Sequence, residues 1–69
     1  MSKWTSCKAR LVYRALIKIG WNFHSQTGSH IKLKRENEIY IWAFKDGDEI
    51  GPKMLARIAK HTALKPEDI

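Results

Sequence analysis

The first regularity along the chain is a helical spacing of apolar residues between positions 6 and 19. These residues fall on one side of a helix: Leu11, Val12, Ala15, Leu16 and Ile19. Spacings of three and four are typical of an amphipathic helix. Thr5 or Ser6 is suited to cap the start of this helix, and Gly20 its end. We therefore predict a first helix from Ser6 to Ile19.

A period of two replaces the helical spacing after Gly20. Most apolar residues of the next three segments are odd-numbered: Trp21 and Phe23, then Ile31 and Leu33, then Ile39, Ile41 and Ala43. Such alternation is typical of strands with one buried face. Gly28 marks the first turn, and residues 35–37 mark the second. If the odd positions share the buried face, both loops have an odd number of residues, so we predict three-residue loops.

A second helix is predicted to begin at Gly51 and Pro52, because proline is favoured at the first helical position. Its apolar stripe is Met54, Leu55, Ile58 and Ala59, and its outward cations are Lys53, Arg57 and Lys60. The order helix, three strands, helix predicts an α+β fold with two layers. In this fold a three-stranded antiparallel sheet carries two helices on one face. Residues 1–69 are expected to form one domain.

The even-numbered residues of the predicted strands are left on the open face of the sheet. They include histidines, lysines and aromatic residues: Asn22, His24, Gln26, His30, Lys32, Lys34, Tyr40, Trp42 and Phe44. With three-residue loops, His30 lies opposite Gln26 and His24 opposite Lys32, which makes the histidines diagonal neighbours. Tyr40 is the best candidate to stack on a base, since its hydroxyl tolerates water. The alternative for Trp42 and Phe44 is that they cover a helix end or the C-terminal tail.

The charge of the chain indicates an anionic partner. Thirteen Lys and Arg against seven Asp and Glu give a formal net charge of +6, which favours phosphate backbones, acidic proteins or anionic membrane surfaces. We predict RNA contacts from one aromatic and five basic residues: Lys32, Lys34, Tyr40, Lys53, Arg57 and Lys60. The alternative is that these lysines form an ordinary solvated surface.

Several classes of protein are disfavoured by composition. No apolar run approaches the roughly 20 residues that span a bilayer, and Met1–Trp4 lacks the apolar stretch of a signal peptide. Cys7 is the single cysteine, so an internal disulfide is excluded. The acidic residues are scattered, so we expect no metal site and no cofactor. Together these features predict a cytoplasmic protein.

The turn Gly28-Ser29-His30 is the strongest candidate for chemistry. A tight glycine turn can hold one imidazole rigidly at the start of a strand, and imidazole is the side chain that titrates nearest neutral pH. Nearby lysines can bind the phosphates of a nucleic acid, and nearby aromatic rings can stack on its bases. We therefore expect His30 to face RNA.

Several segments of the chain together resemble the HicA-type toxins, the mRNA interferases of HicA and HicB toxin-antitoxin modules. They are Gly20-Trp21, the segment Gln26-Thr27-Gly28-Ser29-His30, Ile50-Gly51, and Leu64-Lys65-Pro66-Glu67-Asp68-Ile69. The resemblance covers nearly the whole chain. The chain departs from the usual family pattern at Ser25, where Arg is frequent, at Phe44-Lys45-Asp46, where a Pro and a second His are frequent, and at Ala63, where Gly is usual.

The resemblance implies a double-stranded-RNA-binding-domain-like fold and a catalytic histidine at His30. RNA carries its own nucleophile, the 2′-hydroxyl, so a single base with nearby cations suffices without a metal. Lys32 and Lys34 would then neutralise the phosphate, and His24 is a possible accessory acid. The implied protein is a monomer when free and binds a HicB-like antitoxin as its inhibitor.

Three functions remain open from the sequence. The first is an endoribonuclease toxin that cleaves mRNA. The second is a non-catalytic RNA-binding module that contacts an A-form duplex by its shape. The third is a small subunit whose positive charge serves an acidic protein partner.

Overall fold

A computed structural model describes residues 4–69 of the chain. Along the sequence the elements are β1 (Cys7–Lys8), α1 (Ala9–Lys18), β2 (Asn22–Thr27), β3 (His30–Arg35), β4 (Glu38–Trp42), β5 (Glu49–Ile50) and α2 (Pro52–Thr62), followed by a 3-10 turn at Pro66–Asp68. Strands β2, β3 and β4 form an antiparallel sheet in that order, and β1 pairs with β5. The predicted α+β class and the α-β-β-β-α order are confirmed.

Helix α1 begins later than predicted. It starts at Ala9, and Lys8 occupies the N-cap position without a side-chain cap. The amide of Ala9 instead donates to the carbonyl oxygen of Asp48 at 2.8 Å, and that of Arg10 to Asp46 at 3.4 Å. The prediction that Thr5 or Ser6 caps the helix is wrong. The loop before β5 supplies the acceptors for the first amides of the helix, and Cys7 pairs with Ile50 in β1.

The end of α1 follows the prediction that Gly20 stops the helix. Gly20 has a φ of +113°, which glycine adopts without strain. Its amide donates to the carbonyl of Ile17, and the amide of Trp21 donates to that of Leu16, both at 3.1 Å. This pair of bonds is a Schellman motif, and Leu16 and Trp21 are both fully buried beside it. The motif turns the chain directly from α1 into the sheet.

The first hairpin combines a two-residue turn with a bulge. Thr27 pairs with His30, so only Gly28 and Ser29 connect β2 to β3. Further along, the register shifts between Phe23 and Ser25, which leaves His24 as the extra residue. The predicted three-residue loop is therefore wrong. The bulge restores the odd parity at the start of the strand, where Phe23 pairs with Leu33, and Trp21 is buried as predicted. The predicted burial of Phe23 is wrong, because its side chain on the edge strand is 55% exposed.

The second hairpin also has a two-residue turn, but β4 has no bulge that would restore the predicted parity. Arg35 pairs with Glu38, which leaves Glu36 and Asn37 in the turn, and Glu36 has a φ of +54°. Leu33 consequently pairs with Tyr40, and Ile31 with Trp42. A two-residue loop pairs odd with even positions, so the buried parity switches from odd in β3 to even in β4. The three-residue prediction for this turn is wrong, and with it the predicted burial of Ile39 and Ile41.

The core lies between the sheet and the two helices. Its fully buried members come from all of these elements: Val12 and Leu16 of α1, Trp21, Leu33 and Trp42 of the sheet region, and Leu55 and Ile58 of α2. The indole Nε1 of Trp21 donates to the carbonyl oxygen of Thr62 at 3.1 Å. The Thr62 hydroxyl donates to the carbonyl of Ile58 at 2.7 Å. These bonds satisfy the buried polar atoms and fix α2 against the start of the sheet.

Helix α2 begins where predicted, with Gly51 as N-cap and Pro52 at the first helical position. It ends at Thr62, and the C-cap residue Ala63 has a left-handed φ of +65°. Glycine adopts this conformation at less cost than alanine.

We predict that Trp42→Ala destabilises the protein far more than Ile41→Ala. Trp42 is 2% exposed and Ile41 is 47% exposed. Removing a buried tryptophan costs about 3–5 kcal/mol of unfolding free energy, whereas the half-exposed isoleucine should cost about 1 kcal/mol or less. Urea denaturation of both variants measures the difference. A larger loss in Ile41→Ala would mean that β4 has the opposite register.

Candidate active site

The turn before β3 fixes the position of His30. Gly28 has a φ of +60°, and the side-chain Nε2 of Gln26 donates to the carbonyl oxygen of Gly28 at 3.0 Å. His30 is the first residue of β3 and pairs with Thr27 across the turn. A side chain thus braces the backbone two residues before the exposed imidazole, so the turn limits how far His30 can move.

The register of β3 and β4 determines what shares a face with His30. Leu33 is buried against the helices, so His30, Lys32 and Lys34 lie on the opposite, open face. Lys32 pairs with Ile41, and Lys34 with Ile39. We call these five residues the open-face cluster; all five are exposed. The cluster combines one imidazole and two ammonium groups with two aliphatic side chains.

The predicted aromatic surface on this face is wrong. Tyr40, Trp42 and Phe44 all pack toward the core, because the two-residue turn inverts the parity of β4. Trp42 contacts Phe44 edge-on, with ring centroids 5.0 Å apart. Tyr40 is half-buried, and burial raises the pKa of its hydroxyl. The stacking role predicted for Tyr40 depended on an open-face position that it does not have.

Tyr40 instead belongs to a row of stacked groups on the helix side of the sheet. Its ring stacks on His61 of α2 with centroids 6.3 Å apart, and Trp21 meets it edge-on at the same distance. The guanidinium of Arg35 lies 4.7 Å from the centre of the Trp21 ring and also pairs with Glu38 at 3.1 Å. Trp21 is fully buried and Tyr40 packs against the core, so these contacts stabilise the fold.

His24 is not placed as predicted. It is the extra residue of the β2 bulge, and Ser25 occupies the position opposite Lys32 that was predicted for His24. Likewise Gln26 pairs with Ile31 and not with His30. The predicted diagonal contact of the two histidines depended on a regular three-residue register, which the bulge and the short turn replace. His24 is exposed on the edge strand.

The predicted cations of α2 lie in the other layer. Lys53, Arg57 and Lys60 are exposed, as predicted, but α2 packs on the face of the sheet that Leu33 and Trp42 bury. The structure therefore brings Lys32 and Lys34 together with His30 and leaves the α2 cations on a separate surface.

Other reactive groups are few in the part of the chain that the structure describes. Burial, and secondarily the carboxylate of Glu49, raise the pKa of the Cys7 thiol, which disfavours the reactive thiolate. Within residues 4–69 no three His, Cys, Asp or Glu side chains are grouped so that they could hold a metal ion. No helix in the same range is long and apolar enough to cross a membrane.

A comparison with protein families bears on this arrangement. A model of the HicA toxin of bacterial toxin-antitoxin systems matches residues 9–64. The chain belongs to the HicA toxin family. The matched range runs from the first residue of α1 past the end of α2 and includes the whole open-face cluster. No curated protein and no solved structure matches the chain. Membership of the HicA family makes the chain the toxin of a toxin-antitoxin pair.

Two features of the open face are not predicted from the sequence. Gln26 was part of the motif that carried the family resemblance, but its bond to Gly28 gives it a bracing role. Ile39 and Ile41 were assigned to the core, yet they are 49% and 47% exposed beside the lysines. Their exposure follows from the two-residue turn at Glu36-Asn37, because the length of a turn fixes which face each residue of the next strand occupies. Predicting a turn of two residues here would have placed both isoleucines on the open face.

We predict that Gly28→Ala lowers stability while Gly47→Ala does not. A Cβ at either position meets no atom within 4 Å, but Gly28 has a left-handed φ of +60°. The left-handed backbone costs a non-glycine residue about 1–2 kcal/mol, whereas alanine at Gly47 should be neutral or slightly stabilising. Thermal unfolding monitored by circular dichroism compares the two variants. Equal stability would show that the turn is not held in this conformation.

Proposed function

We propose that this HicA family member is an endoribonuclease that cleaves mRNA in the cytoplasm with His30 as its catalytic residue. The observation that carries the proposal is an exposed histidine on a backbone that the glycine turn holds in place, with Lys32 and Lys34 on the same face. An exposed imidazole on a braced turn, beside two cations, suits a reaction in which a proton moves near an anionic phosphate.

The proposed reaction uses the substrate's own nucleophile. His30 accepts the proton of a ribose 2′-hydroxyl, and the resulting oxygen attacks the adjacent phosphorus. The P–O5′ bond breaks, the 5′-oxygen leaves and takes up a proton, and a 2′,3′-cyclic phosphate remains. Lys32 and Lys34 stabilise the charge that develops on the phosphate oxygens. The step needs no metal and no cofactor. Because the bulge removes His24 from the position opposite Lys32, His24 is not assigned the role of accessory acid, and the leaving oxygen takes its proton from water.

RNA is proposed to bind through its backbone, without stacking on aromatic side chains. The open-face cluster contains two lysines and no aromatic ring besides the imidazole of His30. Phosphate contacts position a nucleic acid without reading its sequence. Lys53, Arg57 and Lys60 are proposed to contact a more distant part of the strand, since α2 lies in the other layer.

The inhibitory partner is proposed to be a HicB-like antitoxin that covers the open-face cluster. Ile39 and Ile41 offer apolar area next to the two lysines, and positive charge speeds association with an acidic protein. A partner seated there blocks His30 and the phosphate contacts together. Its anchors on this toxin would be the two isoleucines, since Tyr40 and Trp42 face the core.

A second candidate is a non-catalytic RNA-binding module. The observation in its favour is the exposed cation set on α2, which could contact an A-form duplex by shape without His30. The two candidates differ in whether RNA is cut or only bound.

We predict that His30→Ala abolishes RNA cleavage and toxicity without unfolding the protein. Loss of a general base lowers the rate by about 10²–10⁴-fold, and an exposed side chain costs at most about 0.5 kcal/mol of stability. Cleavage of a labelled RNA and growth after induced expression are measured for this variant. His61→Ala is the matched control, because it removes an exposed histidine from α2, in the other layer. Circular dichroism verifies that loss of its stacking on Tyr40 leaves this variant folded.

Three outcomes separate the candidates. Cleavage lost in His30→Ala and kept in His61→Ala supports the proposal. Equal cleavage by the wild type and His30→Ala at equal abundance contradicts the assignment of His30. Tight RNA binding by the wild type without any cleavage favours the non-catalytic module.

We predict that RNA affinity falls steeply with salt. Each phosphate neutralised on a single strand contributes a slope of about −0.7 to the logarithm of the affinity against the logarithm of the salt concentration. Titration of His30→Ala with RNA at several salt concentrations gives this slope, and adding Lys32→Ala or Lys34→Ala should make it shallower by about 0.7. Lys45→Ala, which removes an exposed lysine from a loop, is the control. A flat response in the His30→Ala parent would remove the lysines from RNA binding.

A further inference from the structure

The outer side of α1 carries a row of exposed basic residues. Arg10, Arg14 and Lys18 lie four positions apart, so they form one row along the exposed side of the helix. The helix contains no acidic residue. Among residues 4–69, no carboxylate forms an ion pair with any member of the row. We call these three residues the α1 ridge.

Arg10 and Arg14 are electrostatically unfavourable for the helix itself, whereas Lys18 in the last turn suits the negative end of the helix dipole. Like charges at positions i and i+4 repel each other, and Arg10 lies near the positive end of the helix dipole. No acidic side chain in the first turn offsets this charge. A charge pattern that disfavours the isolated helix is suited to a negatively charged partner.

Exposed aliphatic side chains flank the ridge. Leu11 is 39% exposed, Ile17 40% and Ile69 43%, and all three line a surface groove of about 550 Å³. Arg14 and Lys18 also line it, as does Asp68, whose carboxylate already accepts from the backbone amide of Lys65 at 2.9 Å. We call this surface the α1 groove.

The combination of groove and ridge favours a protein partner over RNA. Phosphate contacts are made by cations and need no aliphatic area, whereas a segment that binds in an apolar groove uses both aliphatic anchors and complementary charges. We propose that the α1 groove binds a segment of the partner antitoxin that carries aliphatic side chains for Leu11, Ile17 and Ile69 and carboxylates for the α1 ridge. This inference rests on the proposed antitoxin partner.

The position of α1 gives this contact a distinct role. The buried side of α1 packs into the core against the sheet, so its outer side faces away from His30 and the open-face cluster. A segment bound in the α1 groove does not itself cover His30. The antitoxin therefore contacts the toxin at two places: the α1 groove adds affinity, and the contact at the open face also blocks His30.

The experiment measures antitoxin affinity and RNA cleavage in the same set of variants. The probe is the purified antitoxin partner, titrated calorimetrically into the toxin. Arg14→Glu tests the ridge and is matched by Lys45→Glu, which makes the same charge change on an exposed loop. Ile17→Ser tests the groove and is matched by Met54→Ser, since Met54 is 38% exposed on α2.

We expect Arg14→Glu and Ile17→Ser each to weaken antitoxin binding at least about tenfold, as reversal or truncation of an interface anchor does. The two control variants should bind within about twofold of the wild type. RNA cleavage by the free toxin should be unchanged in all four, because none of these residues lies on the open face. Circular dichroism confirms that each variant is folded.

Two results would overturn the inference. One is wild-type antitoxin affinity in both Arg14→Glu and Ile17→Ser. The other is a loss of RNA binding in Arg14→Glu with antitoxin affinity unchanged, which would make the ridge an RNA contact. Neither result depends on the role of His30. If His30→Ala still cleaved RNA, the proposed catalytic function would fail while the affinity comparison would stand.

Discussion

The two-residue turns of the sheet are the constraint on which the rest of this structure depends. A turn of this length fixes which residues of adjacent strands pair, and pairing fixes which side chains share a face. At Glu36-Asn37 it directs Tyr40 and Trp42 into the core and leaves Ile39 and Ile41 beside the lysines. One residue more in that turn would exchange the core and the surface of β4.

The bulge at His24 shows how the fold reconciles this constraint with the rest of the chain. A short turn at Gly28-Ser29 alone would reverse the parity of β2 and turn Trp21 away from the core. The extra residue, His24, restores the parity of β2, so Trp21 is buried and its indole donates to the carbonyl oxygen of Thr62. The edge strand tolerates the bulge because it has a neighbour on one side only among the described strands.

Much of the fold could be predicted from the sequence, because the helix faces depend on local spacing and the helix boundaries at Gly20 and Pro52 on local backbone preference. The register could not be predicted in the same way. The residues of β4 alternate between large apolar side chains on both faces, so periodicity alone does not say whether Ile41 or Trp42 is buried. The prediction of His30 on the open face was correct because β3 alternates clearly between lysines and aliphatic residues. Tyr40 and His24 were misplaced because their positions depend on turn length and on the bulge.

The central claim is that His30 promotes attack by the RNA's own 2′-hydroxyl, and the ends of the cleaved RNA test it most directly. Cleavage of a defined RNA in the presence of a metal chelator, followed by analysis of both product ends, identifies which bond was broken and by which nucleophile. The account predicts a 2′,3′-cyclic phosphate on one fragment and a 5′-hydroxyl on the other. A 3′-hydroxyl with a 5′-phosphate, or no cleavage until a divalent metal is added, would contradict it.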